Sequence, residues 1–252
     1  MHAVAGVDGC KAGWVAVVRL PGEAPRAKIC GRLEHLVDAL PPNAIIVVDM
    51  PIGLPDFIRG SGRGPEMAVR PLLGMRQSSV FSIPSRAAVY AEPAAFTTLD
   101  EWYAAHRRAS AVARATSDPP RAISIQAFGI FSKIREIDEL LRRRPELRQR
   151  LLESHPEVAF WRLNGDRAML APKKIKGRVN PAGMEERRAL LARCGLDGAF
   201  LDTPPPRGAA DDDFLDSCAM LLVAERIANG LARPFPDPPV SDAFGISIAI
   251  RV

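Results

Sequence analysis

Cysteine is scarce in this chain of 252 residues and is never clustered. Cys10, Cys30, Cys194 and Cys218 lack the close pairs of a zinc site, and a chain of this length needs no disulfide framework. All four are expected to be reduced and mostly packed. No apolar run approaches the roughly 20 residues of a membrane span. The N-terminus enters a strand pattern directly, without a basic stretch and an apolar signal region. The expectation is therefore a cytoplasmic protein with no membrane partner. Internal repeats and low-complexity tracts are missing, as are a P-loop and a G-x-G-x-x-G turn opening a helix. What remains is 47% hydrophobic with a mean hydropathy of -0.01, enough for one elaborated domain over residues 1–252. The net charge of +5 suits a polyanionic partner without singling one out.

The acids are more informative than their number. Val4-Ala5-Gly6-Val7 and Ile45-Ile46-Val47-Val48 each read as a buried strand, and each stops on an aspartate, Asp8 and Asp49. A third cluster, Asp211-Asp212-Asp213 with Asp216, opens a late helix. The first third reads as three strands (3–8, 13–19, 27–30), a helix (32–39) and a fourth strand (44–49), an antiparallel meander followed by a parallel strand. A short crossover from the third strand places the fourth beside the first. Both aspartates then sit at the carboxyl ends of neighbouring strands, where open α/β sheets put their chemistry. Carboxylates about 4 Å apart repel by roughly 1 kcal/mol in water and about 4 kcal/mol at an effective dielectric near 20. Such a cluster needs protons or a cation, and carboxylate oxygens select Mg²⁺ or Mn²⁺.

Further on, the prolines and glycine of Met50-Pro51-Ile52-Gly53-Leu54-Pro55 force a loop at the strand end. Residues 55–120 read as an insertion or lid, irregular at first, with a helix opened by the capping box Thr98-Leu99-Asp100-Glu101. Ile130, Ile134, Ile137 and Leu141 recur at helical spacing within a helix of 124–143. A strand is expected over Glu157–Leu163. Asn180-Pro181 opens a helix that ends at Gly195, a proline-rich linker (203–208) follows, and the last helix covers 211–229. An apolar segment, 244–250, supplies an edge strand.

Each candidate has a plainer structural explanation beside it. Aspartates in a first helical turn meet the helix dipole favourably, and an aspartate at a strand end serves a turn. Asp216 escapes the first of these, lying beyond the first turn in an otherwise apolar helix, three residues from Asp213 and four from Asp212. Glu157 is placed to reach the same cleft. His155 precedes a proline and is either a proton shuttle or structural. Lys11 sits in the small-residue turn after Asp8. Arg76 and Ser79, with Ser78, combine a planar donor with hydroxyls, apt for phosphate or for a satisfied loop. Lys133 meets either a phosphate or Glu136. Lys173, Lys174 and Arg178 form a basic patch, for a nucleic-acid backbone or simply for solvent.

Gly6-Val7-Asp8-Gly9-Cys10-Lys11-Ala12-Gly13-Trp14, Asp49-Met50-Pro51-Ile52-Gly53-Leu54-Pro55, Arg76-Gln77-Ser78-Ser79-Val80-Phe81, Glu153-Ser154-His155-Pro156-Glu157 and Asp212-Asp213-Phe214-Leu215-Asp216 together resemble an uncharacterised bacterial and archaeal family of predicted RNase H-like nucleases. The order of the acids also resembles RuvC-type resolvases: one on the first strand, one on the fourth, and a pair three apart on the last helix. The resemblance implies an α/β fold of RNase H type, a mixed five-stranded sheet with its first three strands antiparallel, helices on both faces and a helical insertion. It also implies that Asp8, Asp49, Asp213 and Asp216 carry two Mg²⁺ or Mn²⁺ ions for phosphodiester hydrolysis, with Asp212 and Glu157 close by. Resolvases usually carry Glu at the second acid, where this chain has Asp49, and the insertion is larger, so substrate class does not carry over. DNA or RNA is the expected partner, with a homodimer left open. An actin-like ATPase or phosphotransferase, or a nucleic-acid-binding protein without turnover, are the alternatives.

Overall fold

The computed structural model describes residues 2–92 and 95–252. The opening meander is β1 (Val4–Cys10), β2 (Gly13–Arg19) and β3 (Arg26–Cys30), followed by α1 (Leu33–Asp38) and β4 (Ile45–Asp49). The long excursion after β4 contains β5 (Ile58–Arg59), α2 (Gly64–Val69), a 3₁₀ stretch (Arg70–Ser79), α3 (Arg86–Val89), α4 (Leu99–Ala115) and β6 (Ser117–Asp118). Of the segment 55–120, residues 93 and 94 lie outside the described residues. Next come α5 (Ile125–Gly129), α6 (Phe131–Arg143), β7 (Leu151–Ser154), α7 (Pro156–Leu163), the small hairpin β8 (Lys174–Ile175) and β9 (Arg178–Val179), α8 (Pro181–Arg193) and α9 (Gly198–Leu201). The chain closes with α10 (Asp211–Ala228), β10 (Pro234–Ser241) and β11 (Ser247–Arg251).

The main sheet is mixed, in the order β3-β2-β1-β4-β7. β1 to β3 are antiparallel, whereas β4 runs parallel to β1 and β7 parallel to β4. The central strands are apolar at nearly every position because both faces are covered. Ala5, Val7, Ile46 and Val48 pack with α1, α4, α5 and α6 on one face. Val4, Val17 and Val47 pack with α7, α8 and α10 on the other. In this α/β sheet β4 lies beside β1, as the short crossover requires.

α10 is buried along most of its length, as a helix apolar all round must be. It crosses β1, β2 and β4, and Gly6 sets how close it comes. A Cβ at Gly6 would lie 2.0 Å from the Leu221 nitrogen and 2.1 Å from the Ser217 carbonyl oxygen. Only a residue without a side chain lets helix and strand meet backbone to backbone there.

Three expectations need correction. Glu157–Leu163 is not a strand but the body of α7, and the strand is the preceding Leu151–Ser154. Pro156 has no N–H to give a ladder and sits at the helix start, where none is needed. Burial of Val158, Ala159, Phe160 and Trp161 on all sides erases the period that would have revealed the helix. The helix of 124–143 is two, α5 and α6, meeting at Ile130. The last apolar segment does form a strand, but β11 pairs with β10 in a separate two-stranded sheet. β10 is hard to read because Pro234, Pro236, Pro238 and Pro239 cannot donate to a ladder, and the register shifts between Phe235 and Val240.

Candidate metal centre

The register pairs Asp8 with Asp49 across the parallel ladder between β1 and β4. Because side chains alternate along a strand, Asp8 continues the series Val4, Gly6 that faces α10, and Asp49 continues Ile45, Val47 on the same face. Asp216 comes down from α10. Each of the three offers a carboxylate oxygen, and those oxygens all lie within 4.8 Å of one another. Asp8 and Asp216 are buried and Asp49 is partly buried.

Three acids so close and so dry hold protons strongly. Burial, then Asp49 and Asp216, raises Asp8 well above the usual carboxylate range. Burial and then Asp216 push Asp49 up to about 8, and burial pushes Asp216 up to about 6 against the pull of Lys173. Lys173 donates to Asp216 Oδ2, and Lys174 Nζ lies 2.6 Å from Asp212 Oδ2. The segment bearing these lysines is pinned to α8: a Cβ at Gly183 would come 2.1 Å from the Pro172 carbonyl oxygen, and Arg187 donates to the Ala171 carbonyl oxygen at 3.0 Å.

Two ammonium groups do not satisfy the cluster. Asp216 Oδ1, Asp212 Oδ1, Glu157 Oε2 and Ser154 Oγ are buried without a hydrogen-bond partner. Orphaned carboxylate oxygens are costly, and oxygens of this chemistry fit a hard divalent cation. The other expected ligands stand at different distances from this role. Asp213 spends one oxygen on the Ala210 N–H at 2.9 Å, capping α10, yet is close enough to raise Asp8 and Asp49. Glu157, at the start of α7, is held by Arg187 at 2.5 Å and lines the same cleft as Asp212.

That cleft, of about 610 Å³, has Asp8, Asp49 and Asp212 in its wall, and Arg76, Ser79, Lys133, Lys173 and Lys174 line it too. Lys133 donates to the Gly13 carbonyl oxygen and lies 4.4 Å from the Trp14 ring centroid; burial lowers its pKa. Lys11 and Arg178 are exposed and do not line the cleft. His155 is the N-cap of α7: Nδ1 accepts from the Glu157 N–H and Nε2 donates to the Ser79 carbonyl oxygen, both at 3.2 Å. Burial lowers its pKa to about 4, so it stays neutral and structural.

A buried set that sequence reasoning missed shapes the loop after β4. Glu153 accepts from the Ile52 N–H at 2.7 Å and from Arg63 Nη2 at 2.6 Å, while Arg63 Nη1 donates to the carbonyl oxygens of Ile52 and Gly53. Arg63 Nε also donates to Glu66 at 2.8 Å. Arg63 and Glu66 are three apart, but Glu153 lies 90 residues from Arg63, so nothing local marks the set. Ser154, opposite Asp49 on β7, was legible only as part of a longer motif.

A family model described as Protein of unknown function (DUF429) matches residues 6–241. No curated protein and no solved structure matches the chain.

Proposed function

Because this chain belongs to the DUF429 family, which brings kinship and no activity, we propose its function from the site: a metal-dependent nuclease of RNase H-like architecture that hydrolyses phosphodiester bonds of DNA or RNA. One observation carries the reading. Carboxylates from the first strand, the fourth strand and the last helix converge within 4.8 Å beside orphaned acid oxygens in an open cleft.

Asp8, Asp49 and Asp216 would hold Mg²⁺ or Mn²⁺, with Asp213 and Asp212 at hand for a second ion. Bound there, such ions supply Lewis acidity to a phosphodiester and make water a nucleophile near neutral pH. The chain's own groups bind and orient. Lys133, Lys173 and Lys174 bring positive charge to the lining that a phosphate would face, and Arg76 with Ser78 and Ser79 offers further donors in the same cleft. Glu153 and Arg63 hold the loop after β4 in place, so Asp49 keeps its position at the strand end. Arg187 keeps Glu157 turned toward the cleft while its second oxygen stays free to accept.

Purified protein with Mn²⁺, offered branched, single-stranded and hybrid nucleic acids, tests the proposal. Cleavage is expected from the parent and lost in Asp8→Asn and in Asp216→Asn; cleavage that survives both substitutions overturns it.

A further inference from the structure

A second groove, of about 510 Å³, opens beside the candidate metal centre. It shares Ser78, Val80 and Phe81 with the first cleft, so the two adjoin across these residues. Its far wall is basic and rich in hydroxyls. Arg70 is clamped in place: Nη1 donates to the Ser61 carbonyl oxygen at 2.8 Å, Nη2 to Ser82 Oγ at 2.8 Å, and Nε and Nη2 to the Val80 carbonyl oxygen at 3.1 Å. The Arg121 side chain is anchored by one bond, Nε to the Gly60 carbonyl oxygen at 2.8 Å, and its terminal nitrogens bond nothing among the described residues. Among the described residues neither guanidinium forms a salt bridge. Burial holds Arg70 below its ordinary range, and although Glu66 pulls it back, the charge of Arg121 adds to the lowering. Arg70 has all its donors spent, Nη1 bonding Ser61 Oγ as well at 3.2 Å, and adds only charge, whereas Arg121 keeps free donors for an anion. On the ridge between the cavities Phe81 is 37% exposed, and no aromatic ring stacks on it among the described residues.

We propose that this groove is a subsite for single-stranded nucleic acid, in which a nucleotide flanking the scissile phosphate lays its base on Phe81 and its phosphate against Arg121, within the positive field of Arg70. The proposal rests on the nuclease reading and narrows its substrate. Basic grooves with exposed aromatic rings suit single strands, because every unstacked base has a free face. The stacked bases of a duplex offer none. The acids point the same way: Asp8, in the wall of the cleft, is only 7% exposed, and a flexible strand can approach so recessed a group more readily than a rigid double helix.

Fluorescence anisotropy tests this with a short labelled oligothymidylate, and with the same strand annealed to its complement, on Asp8→Asn protein in Mg²⁺ so that the strand persists. The single strand should bind more tightly than the duplex. Phe81→Ala should weaken single-strand binding roughly five- to hundredfold, the range of a lost stacking contact, and Phe81→Trp should retain it. Arg121→Ala should weaken binding and reduce the slope of log affinity against log salt by about 1. Arg121 is exposed and Phe81 is over a third exposed, so both variants should stay folded, which melting curves verify. Equal binding by Phe81→Ala, Arg121→Ala and their parent, or preference for the duplex, overturns the subsite. If that happens while the parent enzyme still cleaves, the nuclease reading stands alone. Phe81-dependent binding of single strands by a protein that cleaves nothing supports the subsite and removes the nuclease.

Discussion

Asp49 and Asp216 bind protons more tightly folded than unfolded, and the sign of the pH dependence follows. A carboxyl raised from about 4 in the unfolded chain to about 8 or about 6 stabilises the fold fully at low pH and loses that contribution as pH rises through its folded value. Metal-free protein should therefore melt a few degrees higher at about pH 5.5 than at about pH 8.5, and Asp49→Asn should flatten the difference; a scanning calorimeter with chelator present decides it. Excess Mn²⁺ should reverse the trend, because the cation takes the deprotonated form. Lys173 holds Asp216 Oδ2 and so competes with a cation for that carboxylate. Lys173→Met should accordingly bind Mn²⁺ more tightly than the parent at about pH 8.5, by titration calorimetry; weaker binding would mean the ammonium assists. Asp8, Asp49 and Asp216 were legible in the sequence because each ends or interrupts an apolar run with a charge that has no local use. Arg63, Glu153 and Arg187 were not, since buried ion pairs spanning 90 residues, Arg63 to Glu153, and 30, Arg187 to Glu157, leave no mark on either neighbourhood. Glu157 was expected near the cleft and lines it, although it enters from a helix and not from a strand.

α10 decides where Asp216 and Asp212 stand, and its depth depends on Gly6. Gly6→Ala should cost at least roughly 3 kcal/mol, the upper end for overpacking, because backbone atoms are in the way. Gly31→Ala, with nothing within 4 Å of the added carbon, should be near neutral, and urea midpoints of the two variants make the comparison. A near-neutral Gly6→Ala would mean that helix and strand separate easily. Elements with a strong local signal were readable: the capping box of α4 is present, with Thr98 and Glu101 exchanging hydrogen bonds, and Gly195 and Gly230 follow α8 and α10 with positive φ. α7 and β10 escaped for opposite reasons. The first is buried on every side, so its period vanishes; the second is a strand built largely of proline, which sequence rules assign to loops.

Across the whole molecule, a chain of net charge +5 gathers buried acids at one end of its central strands and arginines along the adjoining grooves. The excursion after β4 is tied back to the sheet by Arg63 and Glu153. It is tied to the C-terminal hairpin as well, where Arg86 reaches Asp242 at 2.6 Å. Sheet order follows from the short crossover and the two strand-end acids, so the topology was largely legible; the path of the excursion depends on contacts between distant residues and was not. No helix among the described residues is long and apolar enough to cross a membrane. The central claim is that Asp8, Asp49 and Asp216 jointly hold a divalent cation. Anomalous scattering from crystals soaked in Mn²⁺ measures this directly. The account predicts a peak at roughly 2.0–2.2 Å from an oxygen of each of the three carboxylates, abolished in Asp49→Asn. Full soaking with no peak there, or a peak held by other residues alone, would contradict it.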